Sequence, residues 1–156
     1  MPDQLPPYVV ADERTTLLAL LRYKRESLAR KVEGLSEEDA RRSPVASGTS
    51  LLWLVKHVTF AEAIWVLQRF AQEDVALDNE VQPDDTVAGA LAAYRATWAR
   101  VDAVIEGADL DDTTGDQSDR PPVTLRWIVM HLLEETARHA GHADILRELL
   151  DGQTGR

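Results

Sequence analysis

The 156-residue chain has no cysteine, which excludes disulfide frameworks, thiolate zinc sites and a cysteine nucleophile together. Any thiol chemistry must come from a bound small molecule. Basic residues are in the minority, 17 Lys plus Arg against 27 Asp plus Glu for a net charge of −10. No basic stripe is available to neutralise phosphates, which argues against nucleic acid as a partner. No apolar run approaches the roughly 20 residues that cross a bilayer, and the Pro-rich acidic start lacks a positive or apolar leader, so a cytoplasmic protein without a membrane partner is expected. Neither a period-two alternation long enough for a strand nor an internal repeat is visible. What is present, 44% hydrophobic and 28% charged residues, excludes disorder and suits one domain over 1–156.

The acidic excess is uneven. Of the nineteen acids after residue 42, twelve fall in 73–85 and 106–119, stretches that read as connections rather than as one helical face. Between them the pattern is helical. Asp12 is an N-cap for a first helix to about residue 33, with Leu17, Leu20, Leu21, Leu28 and Val32 on one side and Gly34 as its stop. Ser36-Glu37-Glu38-Asp39 is a capping box opening a short turn of helix before Pro44. Ser47-Gly48-Thr49-Ser50 caps a second long helix over about 50–72. In a third, about 86–106, Val87, Leu91, Tyr94, Trp98, Val101 and Ile105 are spaced 4, 3, 4, 3, 4 along one seam. Pro121-Pro122-Val123-Thr124 leads into a fourth, about 125–150, closed by Asp151-Gly152.

Four long helices and no strands specify an all-α four-helix bundle. Its connections, about 16, 13 and 18 residues long, exceed the two to eight that an up-and-down bundle needs. Such lengths can join parallel neighbours and cover one end. The aromatics Trp53, Phe60, Trp65, Tyr94, Trp98 and Trp127 sit at helical spacing and read as core.

Chemistry is concentrated in the histidines. Three of the four, His131, His139 and His142, lie within twelve residues of the last helix with Glu135 between them. At about 100° per residue they form one stripe about 80° wide. Ile128, Leu132, Leu146 and Leu149 fall in or beside that stripe, whereas Asp144, Arg147, Glu148 and Asp151 fall opposite, so the stripe reads as core-facing. Burying a carboxylate and imidazoles there is costly unless they are paired or coordinated. His57 on the second helix is also surrounded by apolar neighbours, Trp53, Leu54, Phe60, Ala61 and Ile64, with Lys56, Thr59, Glu62 and Arg69 facing elsewhere. One ion can be shared only by ligands about one turn apart, so His131/Glu135, Glu135/His139 and His139/His142 are all feasible pairs. Adding His57 gives three N/O ligands and an open position, the pattern of a catalytic metal site.

The stretches 47–57 (Ser-Gly-Thr-Ser-Leu-Leu-Trp-Leu-Val-Lys-His) and 127–148, with His131, Glu135, His139 and His142, resemble the DinB/YfiT-like superfamily and its DUF664 branch. The resemblance implies a DinB-like four-helix bundle holding a divalent metal. Many members carry His-x-x-x-His on the last helix, whereas Glu135-x-x-x-His139 resembles the mycothiol-dependent maleylpyruvate isomerases and S-transferases. That correspondence implies the metal ligands His57, Glu135 and His139, with zinc expected first and nickel, iron or manganese also suited to the donor set. It also implies a homodimer. The expected activity is a metal-dependent S-transferase or isomerase using a low-molecular-weight thiol, such as mycothiol, and a small electrophilic substrate. His142 is the catalytic candidate, as a base beside the metal, with His131 an alternative. A metal-dependent hydrolase and a non-catalytic ligand-binding bundle are the rival readings.

Overall fold

Each helix begins where a short polar side chain accepts a hydrogen bond from a first-turn amide that has no partner inside the helix. The structure, a computed structural model, describes residues 5–76, 78–115 and 120–154. Asp12 caps α1 (Glu13–Val32), Ser36 caps α2 (Glu37–Arg41) and Ser50 caps α3 (Leu51–Glu62). Thr86 caps α4 (Val87–Gly107) and Thr124 caps α5 (Leu125–Asp151), each accepting from the amide three residues on. Gly152, at φ +74°, closes α5 in the left-handed conformation that glycine tolerates best. Helix α3 continues without a break as a π-helix, Ala63–Phe70. An isolated β-bridge joins Thr113 and Thr124.

Inter-helix contacts fix the directions. Glu13 pairs with Arg126, and Arg147 donates to the carbonyls of Lys31 and Glu33, so α1 and α5 run parallel. Arg14 donates to the Ile105 carbonyl and Glu33 pairs with Arg95, so α1 and α4 are antiparallel. His57 meets Glu135 while Trp65 meets Trp127, making α3 and α5 antiparallel. Lys56 reaches Asp85, just before α4, and Arg100 reaches Glu73, just after the π segment, so α3 and α4 are parallel. The order is up, down, down, up, and it explains the long second connection. Residues 71–86 must return along a helix of roughly 30 Å, which sixteen residues can span and a short turn cannot. This return strand of irregular chain passes over the middle of α3.

Two apolar clusters fill the bundle. One joins Leu28 and Val32 of α1, Leu52 and Val55 of α3, Leu91 of α4 and Leu146 of α5. The other joins Leu18 and Leu21, Val66 of the π segment, Ile105, and Ile128 and Leu132 of α5. Between them lies a buried polar layer: Arg25 donates to both carboxylate oxygens of Glu62 at 2.8 and 2.6 Å and to Asp102 at 2.7 Å.

Several expectations from periodicity are corrected here. On α1, Leu18 rather than Leu17 or Leu20 is buried, and Arg25 and Lys31 join the interior because each has a carboxylate partner. Glu62 and Arg69, read as facing away from the apolar side that holds His57, are buried, Glu62 against Arg25 and Arg69 over the Trp65 ring at 4.2 Å. Arg147 is buried through its bonds to the end of α1, whereas Leu149 is 58% exposed. Trp127 is exposed rather than core. The stretch Leu51–Phe70, with mean hydropathy 1.2 over its most apolar eighteen residues, is long and apolar enough by length and composition to cross a membrane, contrary to the expectation of no such run. It packs here against α1, α4 and α5 and carries Lys56, Glu62 and Arg69. Of the acidic connections, Asp116 and Asp119 lie outside the described residues.

Candidate metal centre

The buried residues of α5, from Leu125 through Ile128, Leu132, His139 and Ala143 to Arg147, occupy an arc that begins about 60° round from His131 and ends near 180°. The histidine stripe therefore runs along the border of the core face, not down its middle. Burial changes along it accordingly: His139 is buried, Glu135 and His131 are half-buried, and His142 is exposed. The ligand candidates are held by the core on one side and open to solvent on the other.

Three of the five candidates, four on the α5 stripe and one on α3, converge. Glu135 Oε1 lies 3.0 Å from His57 Nε2 and 3.0 Å from His139 Nε2. One ligand atom from each residue lies within 4.8 Å of the other two. Each imidazole is held from behind. His57 stacks on Trp53 with ring centroids 4.7 Å apart and donates from Nδ1 to Asn79 Oδ1 at 3.2 Å. His139 Nδ1 lies 3.3 Å from His142 Nδ1. His142 thus sits behind the group rather than in it, and Arg138 is engaged by Glu134 at 2.6 Å. His131 is elsewhere, packed between Trp65 and Trp127 with both centroid separations 5.0 Å.

The donor chemistry fits a divalent cation. With Nδ1–H given to Asn79 Oδ1, His57 can offer Nε2 to a cation beside Glu135 Oε1, 3.0 Å away; with no cation between them, an Nε2–H donated to the carboxylate spans the same separation. Burial pushes the Glu135 carboxyl up, but the hydrogen bonds and charge of His57 and His139 outweigh it and hold the group below the ordinary carboxylate value. Burial also holds the His139 ring below the ordinary histidine value, against the pull of Glu135. An ionised carboxylate and a neutral imidazole are the forms that bind metal. The separations are near the roughly 3–4 Å between ligand atoms of one tetrahedral ion with bonds of about 2.0–2.2 Å.

Asn79 had no sequence signal, because it lies in the acidic connection 73–85 rather than on a helix. Its place follows from the return of 71–86 along α3, pinned by Lys56 Nζ to Asp78 at 2.8 Å and Asp85 at 2.6 Å. The partner of a ligating histidine commonly fixes its tautomer and ring orientation. Asn79→Leu is therefore expected to weaken divalent-ion affinity by about 10–100-fold with unchanged helicity, measured by competition with a chelating dye.

The model of one protein family, the mycothiol-S-transferases, matches residues 16–152. Among solved structures, the crystal structure of a conserved protein of a locus from Enterococcus faecalis superposes with a TM-score of 0.62 at 17% identity. It covers 92% of this chain and all of its own, a likeness of fold alone. No curated protein matches the chain.

Proposed function

Because the chain belongs to the mycothiol S-transferase family, which is DinB-like, we propose that it is a divalent-metal-dependent S-transferase that joins a low-molecular-weight thiol to a small electrophile. The observation that carries this reading is the convergence of His57 Nε2, Glu135 Oε1 and His139 Nε2 on one solvent-reachable point. These three residues would hold the ion, with zinc the first choice. A divalent cation there would supply the positive charge that keeps a thiol ionised near neutral pH. The chain has no cysteine of its own, so the sulfur must arrive on the cosubstrate.

The protein residues orient and the cosubstrate reacts. Asn79 and Trp53 fix the His57 ring, and the half-burial of Glu135 limits water on the core side. In the transfer the thiol proton leaves to solvent, the sulfur forms a bond to the electrophilic carbon, and the leaving group departs with the electrons of the bond that breaks. For His142 the geometry favours a positioning role over that of a base. When His139 presents Nε2 to an ion, its Nδ1–H is donated to His142 Nδ1, and that occupies the lone pair a base would use.

Acid should act through the ligands. Glu135 and His139 are both held below their ordinary values, so the deprotonated, metal-binding forms persist down to a lower pH than for free side chains. Protons win only on the acid side. Thiol transfer is expected to stay level over about pH 7–9 and to fall, together with bound metal, below about pH 6. A hydrolase using activated water would instead gain rate through neutrality and need no thiol. A pH–rate profile with and without mycothiol, alongside elemental analysis of untagged protein, separates the two. Sedimentation at micromolar concentration tests the expected homodimer.

A further inference from the structure

A cleft of about 500 Å³ opens between α3 and α4, within the size range of small-ligand sites. Its origin is legible. Gly89, Ala90, Ala93 and Thr97 recur at one-turn spacing on α4 opposite Thr59, Phe60 and Ala63, and side chains this small leave space unfilled on that side of the helix pair. The returning connection closes the third side with Val75 and Ala76. The Lys56–Asp78 ion pair at the cleft's edge and the His57–Asn79 hydrogen bond at the metal centre are one residue apart on both elements, while the three ligand candidates themselves lie outside the cleft lining.

The charge around the cleft is not balanced. Arg100 is matched by Glu73 at 2.5 Å. Lys56 faces two carboxylates, Asp78 and Asp85, which leaves one negative charge over. Asp74 adds a second at the rim. Two net negative charges over an apolar floor of Phe60, Ala63 and Val75 favour a ligand with an apolar body and a positive head, and oppose an anion.

We infer that this cleft seats the electrophile and selects apolar-bodied, cationic electrophiles over anionic ones. The inference rests on the S-transferase reading. In that reaction the triad would hold the ion that keeps the thiol ionised, whereas the electrophile needs a surface of its own nearby. The sulfur, its proton lost to solvent, forms the S–C bond as the carbon–halogen bond breaks, and halide leaves with the electron pair.

The test uses the metal-loaded protein, mycothiol, and two benzyl chlorides that differ in charge, one bearing a 4-trimethylammoniomethyl group and the other a 4-carboxylate. With each rate divided by its uncatalysed rate, wild-type kcat/KM is expected to favour the cation about tenfold or more. Asp74→Lys should erase most of that preference. Ala93→Trp, at an exposed helical position where the fold tolerates bulk, should lower kcat/KM for both electrophiles about tenfold while leaving bound metal and the KM for thiol unchanged. Equal rates for the two electrophiles, or an Ala93→Trp protein as active as wild type, would overturn the assignment. A second readout is independent of turnover. The unreactive 4-methylbenzyltrimethylammonium ion should shift the amide resonances of Gly89, Ala90, Ala93 and Thr97, and no shift there removes the cleft as its site. Failure of all thiol transfer sinks the S-transferase reading, while the amide shifts still decide the cleft.

Discussion

Glu135→Ala is expected to lose the divalent ion and thiol transfer together. Glu135 Oε1 is the atom shared by both imidazoles, 3.0 Å from each, and it supplies the sole negative charge of the triad. Without it two neutral nitrogens remain, a donor set with neither the charge nor the number of ligands of a catalytic site. Metal content measured by elemental analysis should fall from about one equivalent to less than about a tenth, and transfer by about a thousandfold or more. The contrast is His142→Ala. A residue that only orients His139 should cost about 10-fold in affinity and leave the protein metal-bound at saturating ion. If His142→Ala loses the metal and Glu135→Ala keeps it, α5 uses the His139/His142 pair and the ligand assignment is reversed.

The largest effect on stability is expected from Arg25→Met. Arg25 and Glu62 are almost entirely buried, joined by two hydrogen bonds of 2.8 and 2.6 Å, with Asp102 as a third member. Removing the guanidinium leaves an uncompensated carboxylate between two apolar clusters, a loss of about 3–5 kcal/mol. For a chain of this size that lowers Tm by roughly 6–20 °C. The loss should depend on pH in a defined direction. Burial already pushes Glu62 above the ordinary carboxylate value even with Arg25 pulling it down, and without Arg25 it rises further. Between the unfolded value, near 4.3, and that raised value the native state holds the extra proton, so stability falls as pH rises. The variant should thus be closest to wild type near pH 4–5 and weakest toward pH 8 in urea unfolding. Arg25→Met with Glu62→Leu should recover most of the loss, because an apolar pair of similar volume needs no charge compensation. A single variant equally stable at all pH values would show that water reaches Glu62.

The helices were readable because their signals are local. Asp12, Ser36 and Ser50 cap within three residues of themselves, and of the α4 seam Val87, Leu91, Tyr94, Val101 and Ile105 are buried as its spacing requires, with Trp98 half-buried. The same locality limits the reading of burial. Glu62 and Arg147 are charged residues that periodicity turns away from the apolar sides of their helices, and Arg25 lies off the apolar side read for α1, yet each is interior because its partner comes from a different helix. No periodicity in one helix carries that information. The α5 stripe shows a subtler version of the same limit. The residues were identified from spacing, but their position at the edge of the core, with His139 in and His142 out, depends on where α1 and α3 lie against α5.

By itself, then, the sequence determined the helix count and ends, the one-turn spacing of Glu135 and His139, and the absence of any cysteine nucleophile, all properties of neighbouring residues or of composition. Tertiary structure decided what depends on distance between elements. It made α3 and α4 parallel, so that 71–86 had to run back over α3 and bring Asn79 to His57 and Asp78 to Lys56. It also left the small residues of α4 facing Thr59 and Phe60 across an open cleft. A loop's path is set by the two ends it must join, and those ends are fixed by the packing of the whole bundle rather than by the loop's own residues.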